Sequence, residues 1–348
     1  MILFAWRRLT PPAFIGGAEK TEAQIALHLS ALGHSVRMIG SYENPRNHHD
    51  SAFAWLTEAL TAHGVPFDVD GAGVVRYQFG GVECLCAPQD ALDKFIDEAL
   101  PQATSVWTTQ EGSADIGRRV PRDILAAYVH SVSAVGLEVL AASPRWLFAP
   151  SQFVANVLKA NGRSDAHVLR PPFEIPLATM HTQNPARVLF VNPVPEKGVV
   201  LALALARLLP QIPFEFVEGW RPVEDVEASE WPRNVIVTKR VIDLEEQYSR
   251  ASVVIVPSLV DDAAPRVVLE AAAMGVPAIG SNRGGIPELV AQAASIIAPD
   301  DTESWSQRLG VLLSNPDEYG EARRSQLQHL ESLYPNVEAI LAFAGWHA

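Results

Sequence analysis

Apolar residues fall along the chain in two rhythms. Short runs such as "ILFAW" (2–6), "SVRMIG" (35–40), "ATSVWTTQ" (103–110) and "DILAAYVHS" (123–131) have the length of strands. Between the first two lies "AEKTEAQIALHLSALGH" (18–34), where Ala23, Ala26, Leu27 and Leu32 recur at helical spacing. Strand, helix and strand within so short a span predict a βαβ unit of a parallel sheet. "WLFAPSQFVANVLKANG" (146–162) continues the series as strand, turn and helix, with Gly162 as its stop. Between Leu169 and Ala186 four prolines interrupt the periodicity, the texture of a linker. A second series follows: "RVLFVN", the helix "GVVLALALARLLP", "FEFVEG", "NVIVTK", the helix "LEEQYSRA", "VVIVPS", a further helix from Pro265 to Gly275, "PAIGS" and "ASIIAP". The predicted fold class is therefore α/β, with two doubly wound Rossmann-like domains facing across a cleft, strand C-termini aimed into it. The expected boundaries are 1–172 for an N-terminal domain, 173–186 for the linker, 187–333 for a C-terminal domain and 334–348 for a terminal helix.

Composition narrows the partners. A net charge of −13 over 348 residues argues against nucleic acid or an anionic membrane, both of which call for a positive surface. No apolar run approaches the roughly 20 residues of a membrane helix, and the opening "MILFAWRRLTPP" lacks the charge-then-apolar order of a secretory signal. A cytoplasmic protein is expected. Cys84 and Cys86, alternating in "VECLC", would share one face of a strand as reduced structural thiols. "NHHD" (47–50) invites a metal reading, but adjacent histidines on a loop point apart in most conformations.

The densest chemistry lies in "DDAAPRVVLEAAAMGVPAIGSNRGGIPELV" (261–290). Pro265 suits the first position of a helix, where its missing N–H would be unpaired in any case. Asp262 precedes that helix and Glu270 lies eight residues on, within it. A helix start offers N–H groups and partial positive charge to a phosphate, and a carboxylate can accept two ribose hydroxyls. The same spacing also fits a capping acid followed by a solvated glutamate.

The order of this segment decides more than the spacing does. An acid, seven residues, a glutamate, a small-residue helix, "GVP", a strand and "GGIPE" resemble the donor site of the retaining glycosyltransferases of family 4. "IGGAEKTEAQIALHLSALGHSV" (15–36) is similar to that family's opening, and "PVPEKGV" (193–199) resembles its phosphate loop. The resemblance covers nearly the whole chain and implies a GT-B fold, with the last helix crossing back onto the first domain. It implies transfer of a sugar from a nucleoside-diphosphate sugar to a hydroxyl acceptor, with retention, no metal and no cofactor. On this resemblance Asp262, His130 and Lys197 are the catalytic candidates. The donor set is Gly16, Gly17, Asn192, Lys197, Val241, Pro265, Arg266 and Glu270. Trp107, Gln110 and Glu111, where a strand runs out toward the expected cleft, are acceptor candidates.

Three positions depart from the family pattern. Asp262 stands where a glutamate is usual, Pro265 where a glycine offers its N–H, and Asn192 where an arginine usually supplements the lysine. Two other function classes therefore stay open: a nucleotide-sugar-binding protein without turnover, and an isomerase or phosphorylase on the same fold. A nicotinamide oxidoreductase is disfavoured because no G-x-G-x-x-G follows the first strand.

Overall fold

The structure is a computed structural model and describes residues 1–43, 52–173, 187–223 and 231–333. "NHHD", the expected linker from 174 on and the expected terminal helix lie outside the described residues. The chain divides into two units, with the break between Pro172 and Phe173.

In the first unit the order is β1 (Ile2–Ala5), α1 (Gly17–Ala31), β2 (Val36–Ser41), α2 (Ala52–Ala62), β3 (Phe67–Val69), β4 (Val75–Phe79), β5 (Val82–Ala87), α3 (Gln89–Ala99), β6 (Ser105–Thr108), α4 (Ser113–Arg119), β7 (Leu125–Tyr128), α5 (Ala134–Leu137), β8 (Trp146–Ala149), α6 (Gln152–Ala160) and β9 (His167–Val168). The nine strands lie in the order β3-β4-β5-β2-β1-β6-β7-β8-β9. Only β3–β4 and β4–β5 pair antiparallel. The chain winds from β1 to β2 on one side and reaches β6 on the other, so β1 marks a switch point. One face buries Leu3, Ala5, Ile39, Val106 and Leu125. On the other, Trp107 packs between Phe4 at 5.5 Å and Phe148 at 4.8 Å between ring centroids.

The second unit runs β10 (Val188–Val191), α7 (Val199–Leu208), β11 (Phe214–Val217), β12 (Val235–Thr238), α8 (Glu245–Ser249), β13 (Val253–Val256), α9 (Arg266–Ala273), β14 (Ala278–Ser281), β15 (Ile296–Ile297), α10 (Thr302–Ser314) and α11 (Pro316–Ser332). Its six parallel strands take the doubly wound order β12-β11-β10-β13-β14-β15. Burial on both faces explains the continuous apolar runs. Val188, Phe190, Val253 and Ile255 enter one core, while Leu189, Val254 and Val256 enter the other. The alternation follows the two-residue period of a strand. Phe173 packs into this second core, which fixes the break just before it.

Two local expectations shift. In α1 the buried stripe is Ala23, Ile25, Ala26 and Leu29, whereas Leu32 is exposed at the helix end. Pro265 takes the N-cap of α9 rather than its first turn, with φ −68° and ψ 113°. Gly162 and Gly275 stop their helices as expected, both with positive φ. Cys84 and Cys86 are both buried on β5 and unbridged. Burial pushes both thiols up, Cys86 to about 12.

Candidate functional site

The switch point of the second sheet lies between β10 and β13, and both strands lead at their C-terminal ends into chemistry-bearing loops. After β10 the chain passes Asn192 and forms a single 3-10 turn, Pro195–Lys197, before α7. After β13 it passes Ser258 to Asp262 and enters α9 at Pro265. Gly198 locks the two loops together. Its φ is +84°, and a Cβ there would sit 2.0 Å from the Pro257 carbonyl oxygen. The Leu259 N–H donates to the Glu196 carbonyl at 3.0 Å across the same seam.

This seam brings Lys197 to Asp262. The Lys197 ammonium donates to Asp262 Oδ1, and the Ser258 hydroxyl donates to Oδ2. The two side chains are 15% and 12% exposed, so the ion pair is only lightly solvated. Lys197 Nζ also stands 5.0 Å from the centre of the Trp220 ring. Trp220 itself is held by its backbone, whose N–H donates to Asn192 Oδ1 at 3.0 Å. Asn192 adopts a left-handed φ of +64°, a conformation asparagine tolerates better than most residues. Its side chain thus organises the loop after β11, and the position carries no cation.

Asp262 is anchored by its backbone too. Its carbonyl accepts from the Gly285 N–H at 2.7 Å, and the neighbouring Asp261 carboxylate accepts from the Gly284 N–H at 3.1 Å. Gly284 has φ +56°, and a Cβ there would approach the Asp262 carbonyl oxygen to 2.3 Å. The double glycine therefore fixes the acidic loop.

On α9 the Glu270 carboxylate accepts from the Tyr248 hydroxyl at 3.0 Å and from Arg266 Nε at 3.2 Å. Burial beside this carboxylate pushes the Tyr248 hydroxyl well up, so it stays a hydrogen-bond donor. Arg266 is nearly buried and supports Glu270 along the helix. Val241, after β12, packs against the same core as Tyr248 and Val268.

The first unit gathers a second cluster at the ends of β1, β6 and β7 and on the first turns of α1. Arg8, after β1, donates from Nε and one terminal nitrogen to both oxygens of Glu111 at 2.8 and 2.9 Å. Its other terminal nitrogen donates to Glu19 at 2.9 Å. Burial opposes the charge on Arg8, yet the two carboxylates hold its pKa above the ordinary value. His130, just past β7, pairs through Nε2 with Glu22 Oε1 at 2.7 Å. Gly16 caps α1 in extended backbone at φ −152°, and Gly17 opens the helix; neither relies on a left-handed conformation.

The acceptor candidates divide. Trp107 is 1% exposed and packs in the aromatic core beside β6. Gln110 is nearly buried, with φ +61°, and its carbonyl accepts from Ser113. Glu111 is engaged by Arg8. Sequence reasoning missed Tyr248, Ser258, Trp220, Arg8, Glu19 and Glu22. Glu22 was the most accessible of these, because it occupies a core position of α1 three residues before Ile25 and seven before Leu29. Among the described residues, no group of three or more His, Cys, Asp and Glu is placed to hold a metal ion. No described helix is long and apolar enough to cross a membrane.

Residues 185–315 match the family of Glycosyl transferases group 1. That stretch holds Asn192, Lys197, Asp262 and Glu270 alike. Across the full chain, the architecture matches GT-B glycosyltransferase structures. Sucrose-phosphate synthase from Thermosynechococcus elongatus superposes with a TM-score of 0.73 at 17% identity, covering 99% of this chain and 97% of its own. Anabaena HepE in complex with UDP-glucose gives 0.73 at 16% identity, covering 99% and 98%. The pneumococcal O-GlcNAc transferase GtfA, in complex with UDP and GlcNAc, gives 0.67 at 11% identity, covering 100% and 98%. At these identities the likeness is one of fold. No curated protein matches the chain in sequence.

Proposed function

We propose that the chain is a glycosyltransferase that moves a sugar from a nucleoside-diphosphate sugar to a hydroxyl acceptor, with retention of anomeric configuration and without a metal. The observation that carries this is the second unit's switch point, where Lys197, Asp262 and Glu270 stand on adjoining loops and one helix. Lys197 supplies the cation for the diphosphate, Glu270 accepts the ribose hydroxyls, and Asp262 orients the transferring sugar. The backbone near Val241 faces the base. The HepE structure contains UDP-glucose and the GtfA structure contains UDP, which supports a nucleotide ligand for this unit. The first unit, through His130 and the loop after β6, serves the acceptor. In transfer of this kind the leaving diphosphate oxygen takes the acceptor's proton, and Lys197 stabilises the charge that develops there.

The test is titration calorimetry with uridine, guanosine and adenosine diphosphates and their nucleosides. A diphosphate bound more tightly than its nucleoside supports the phosphate seat; equal affinities for every base remove it. Product analysis by NMR then reads the anomeric configuration, and excess chelator reads the need for a metal. A second reading, binding without turnover, is favoured by Pro265, which has no N–H to give the sugar. It predicts tight nucleotide-sugar binding with neither hydrolysis nor transfer.

A further inference from the structure

Glu22 is a carboxylic acid in a place built for an apolar residue. Its side chain is 1% exposed, on the face of α1 that carries Ala23, Ile25, Ala26 and Leu29 into the core. A buried ionisable group costs several kcal/mol unless it is paired, and an alanine or leucine would complete the stripe without that cost. The acid reaches His130 and also lies beside the Trp107 indole. His130 Nε2 lies 2.7 Å from Glu22 Oε1, and the imidazole is 8% exposed. The Tyr128 ring packs beside the imidazole at 4.4 Å between centroids, so the histidine is held by contact as well as by its hydrogen bond. Burial pushes the Glu22 carboxyl well above the usual carboxylate range, against the opposing pull of the nearby Trp107 indole.

We infer that Glu22 is the positioning residue of His130, and that the two form a dyad that holds a single shared proton across neutral pH. The inference rests on the proposed transferase reading only for its kinetic consequence. A buried pair of this kind titrates as a unit. Removing its one proton would leave a bare carboxylate in the core, and adding a second would leave an unbalanced cation. Both steps are driven outside the range in which an ordinary imidazole changes charge, around pH 6.5. His130 therefore presents one orientation and one protonation pattern toward its ligand between about pH 6 and 8. No bond is made or broken by Glu22.

The neighbouring charges on α1 and its strands have ion-pair partners of their own. One turn earlier on α1, Glu19 is taken by Arg8, and Arg8 is shared with Glu111 from the loop after β6. On the strands packed against α1, Arg37 of β2 pairs with Glu83 of β5 toward solvent.

Two measurements test this. Histidine side-chain NMR on the full chain, with His130 assigned by its loss in His130→Gln, follows the imidazole between about pH 6 and 8. In the wild type the His130 resonances stay flat, and in Glu22→Gln they move through a single titration step. A wild-type His130 that titrates near 6.5 like an exposed imidazole overturns the dyad, and that result stands even if Glu22→Gln does not fold. The second measurement is turnover of UDP-, GDP- or ADP-glucose against pH. Glu22→Gln should lower kcat at least ten-fold and add a pH limb near 6, with Kd for the nucleoside diphosphate unchanged; Glu22→Asp should recover part of the rate. Unchanged kcat and pH profile in a folded Glu22→Gln overturn the positioning role. If the wild type binds none of the three sugar nucleotides, the transferase reading fails for those donors, while the NMR titration still decides the dyad.

Discussion

Asp262→Asn should tighten the binding of a nucleoside diphosphate, although the residue lies in the proposed donor site. Lys197 is already bonded to the Asp262 carboxylate, and Ser258 holds that carboxylate from its other oxygen. A diphosphate that takes Lys197 must displace Asp262, and the phosphate charge is repelled by the carboxylate while it does so. A hydrogen bond to a charged group contributes about 1.5–3 kcal/mol. With both side chains mostly buried, solvent screens little of it. Asparagine keeps the size and removes the charge, so affinity should rise roughly ten- to a hundred-fold. Transfer should fall in the same variant, because the neutral amide no longer orients the sugar. The assay is calorimetry with uridine, guanosine and adenosine diphosphates, in wild-type and Lys197→Met backgrounds. In the second background the gain should vanish, since the competition needs the lysine. Affinity in Asp262→Asn equal to or below the wild type would refute the reasoning and leave Asp262 as a direct contact that does not compete.

Glu270→Ala should raise Kd for the nucleoside diphosphate roughly ten- to a hundred-fold, from one or more lost hydrogen bonds to a charged group; an unchanged Kd in a folded variant returns Glu270 to a helix-surface role. Gly284→Ala should destabilise the second unit by about 1–3 kcal/mol and weaken nucleotide binding, since its φ of +56° and the Asp262 backbone leave no space for a Cβ; denaturant unfolding reads the first effect and calorimetry the second. Acid should also act through Glu215, buried on β11. Burial pushes its carboxyl up, but hydrogen bonds from Arg250, Thr238 and Arg187 outweigh this and bring it down from 4.5 to about 2. Its contribution is full above about pH 4.5 and is lost as pH falls toward 2, about 3 kcal/mol in all. Over that window the wild type should lose more stability than Glu215→Gln; parallel losses would show that Glu215 does not carry the acid sensitivity.

The fold was legible because the second sheet is parallel throughout and the first is parallel apart from β3–β4 and β4–β5, with cores packed against their faces. Val188 to Val191 and Val253 to Val256 read as unbroken apolar runs for the reason the structure displays, a core on each side. The loops between them were legible where backbone geometry demands glycine. Gly198 and Gly284 each press against the backbone that carries the site. Side-chain partnerships were not legible, because they join residues distant in sequence. Nothing local to "VHS" names Glu22, 108 residues away. Likewise, nothing local to "EKG" names Asp262, 65 residues on. The burial of Trp107 was not legible for a related reason. A strand running toward a site places alternate residues in the core, and the register Phe4↔Trp107 puts this one within the sheet's aromatic layer.

The three departures from the family pattern acquire different weights once their surroundings are known. Asn192 has structural work of its own: its left-handed backbone and its acceptance of the Trp220 N–H shape the loop over Lys197. An arginine there would lose that bond, so the missing cation and the placed indole are one feature. Asp262, a methylene shorter than glutamate, reaches Lys197 and Ser258 together, and a longer side chain would alter that fit. Pro265 caps α9 without an N–H and so removes one donor from the helix start. Under the proposed function, the three changes shift the site from a phosphate clamp rich in donors toward one cation balanced by its own acid. Such a site discriminates by exchange: a ligand is held well only if it both replaces Asp262 on Lys197 and offers the released carboxylate hydroxyls to accept from. A bare diphosphate meets the first condition and a sugar nucleotide meets both. The sugar nucleotide should therefore bind more tightly than its diphosphate, and that preference should disappear in Asp262→Asn. Equal preference in the two proteins, measured by competition calorimetry, would sink the exchange argument.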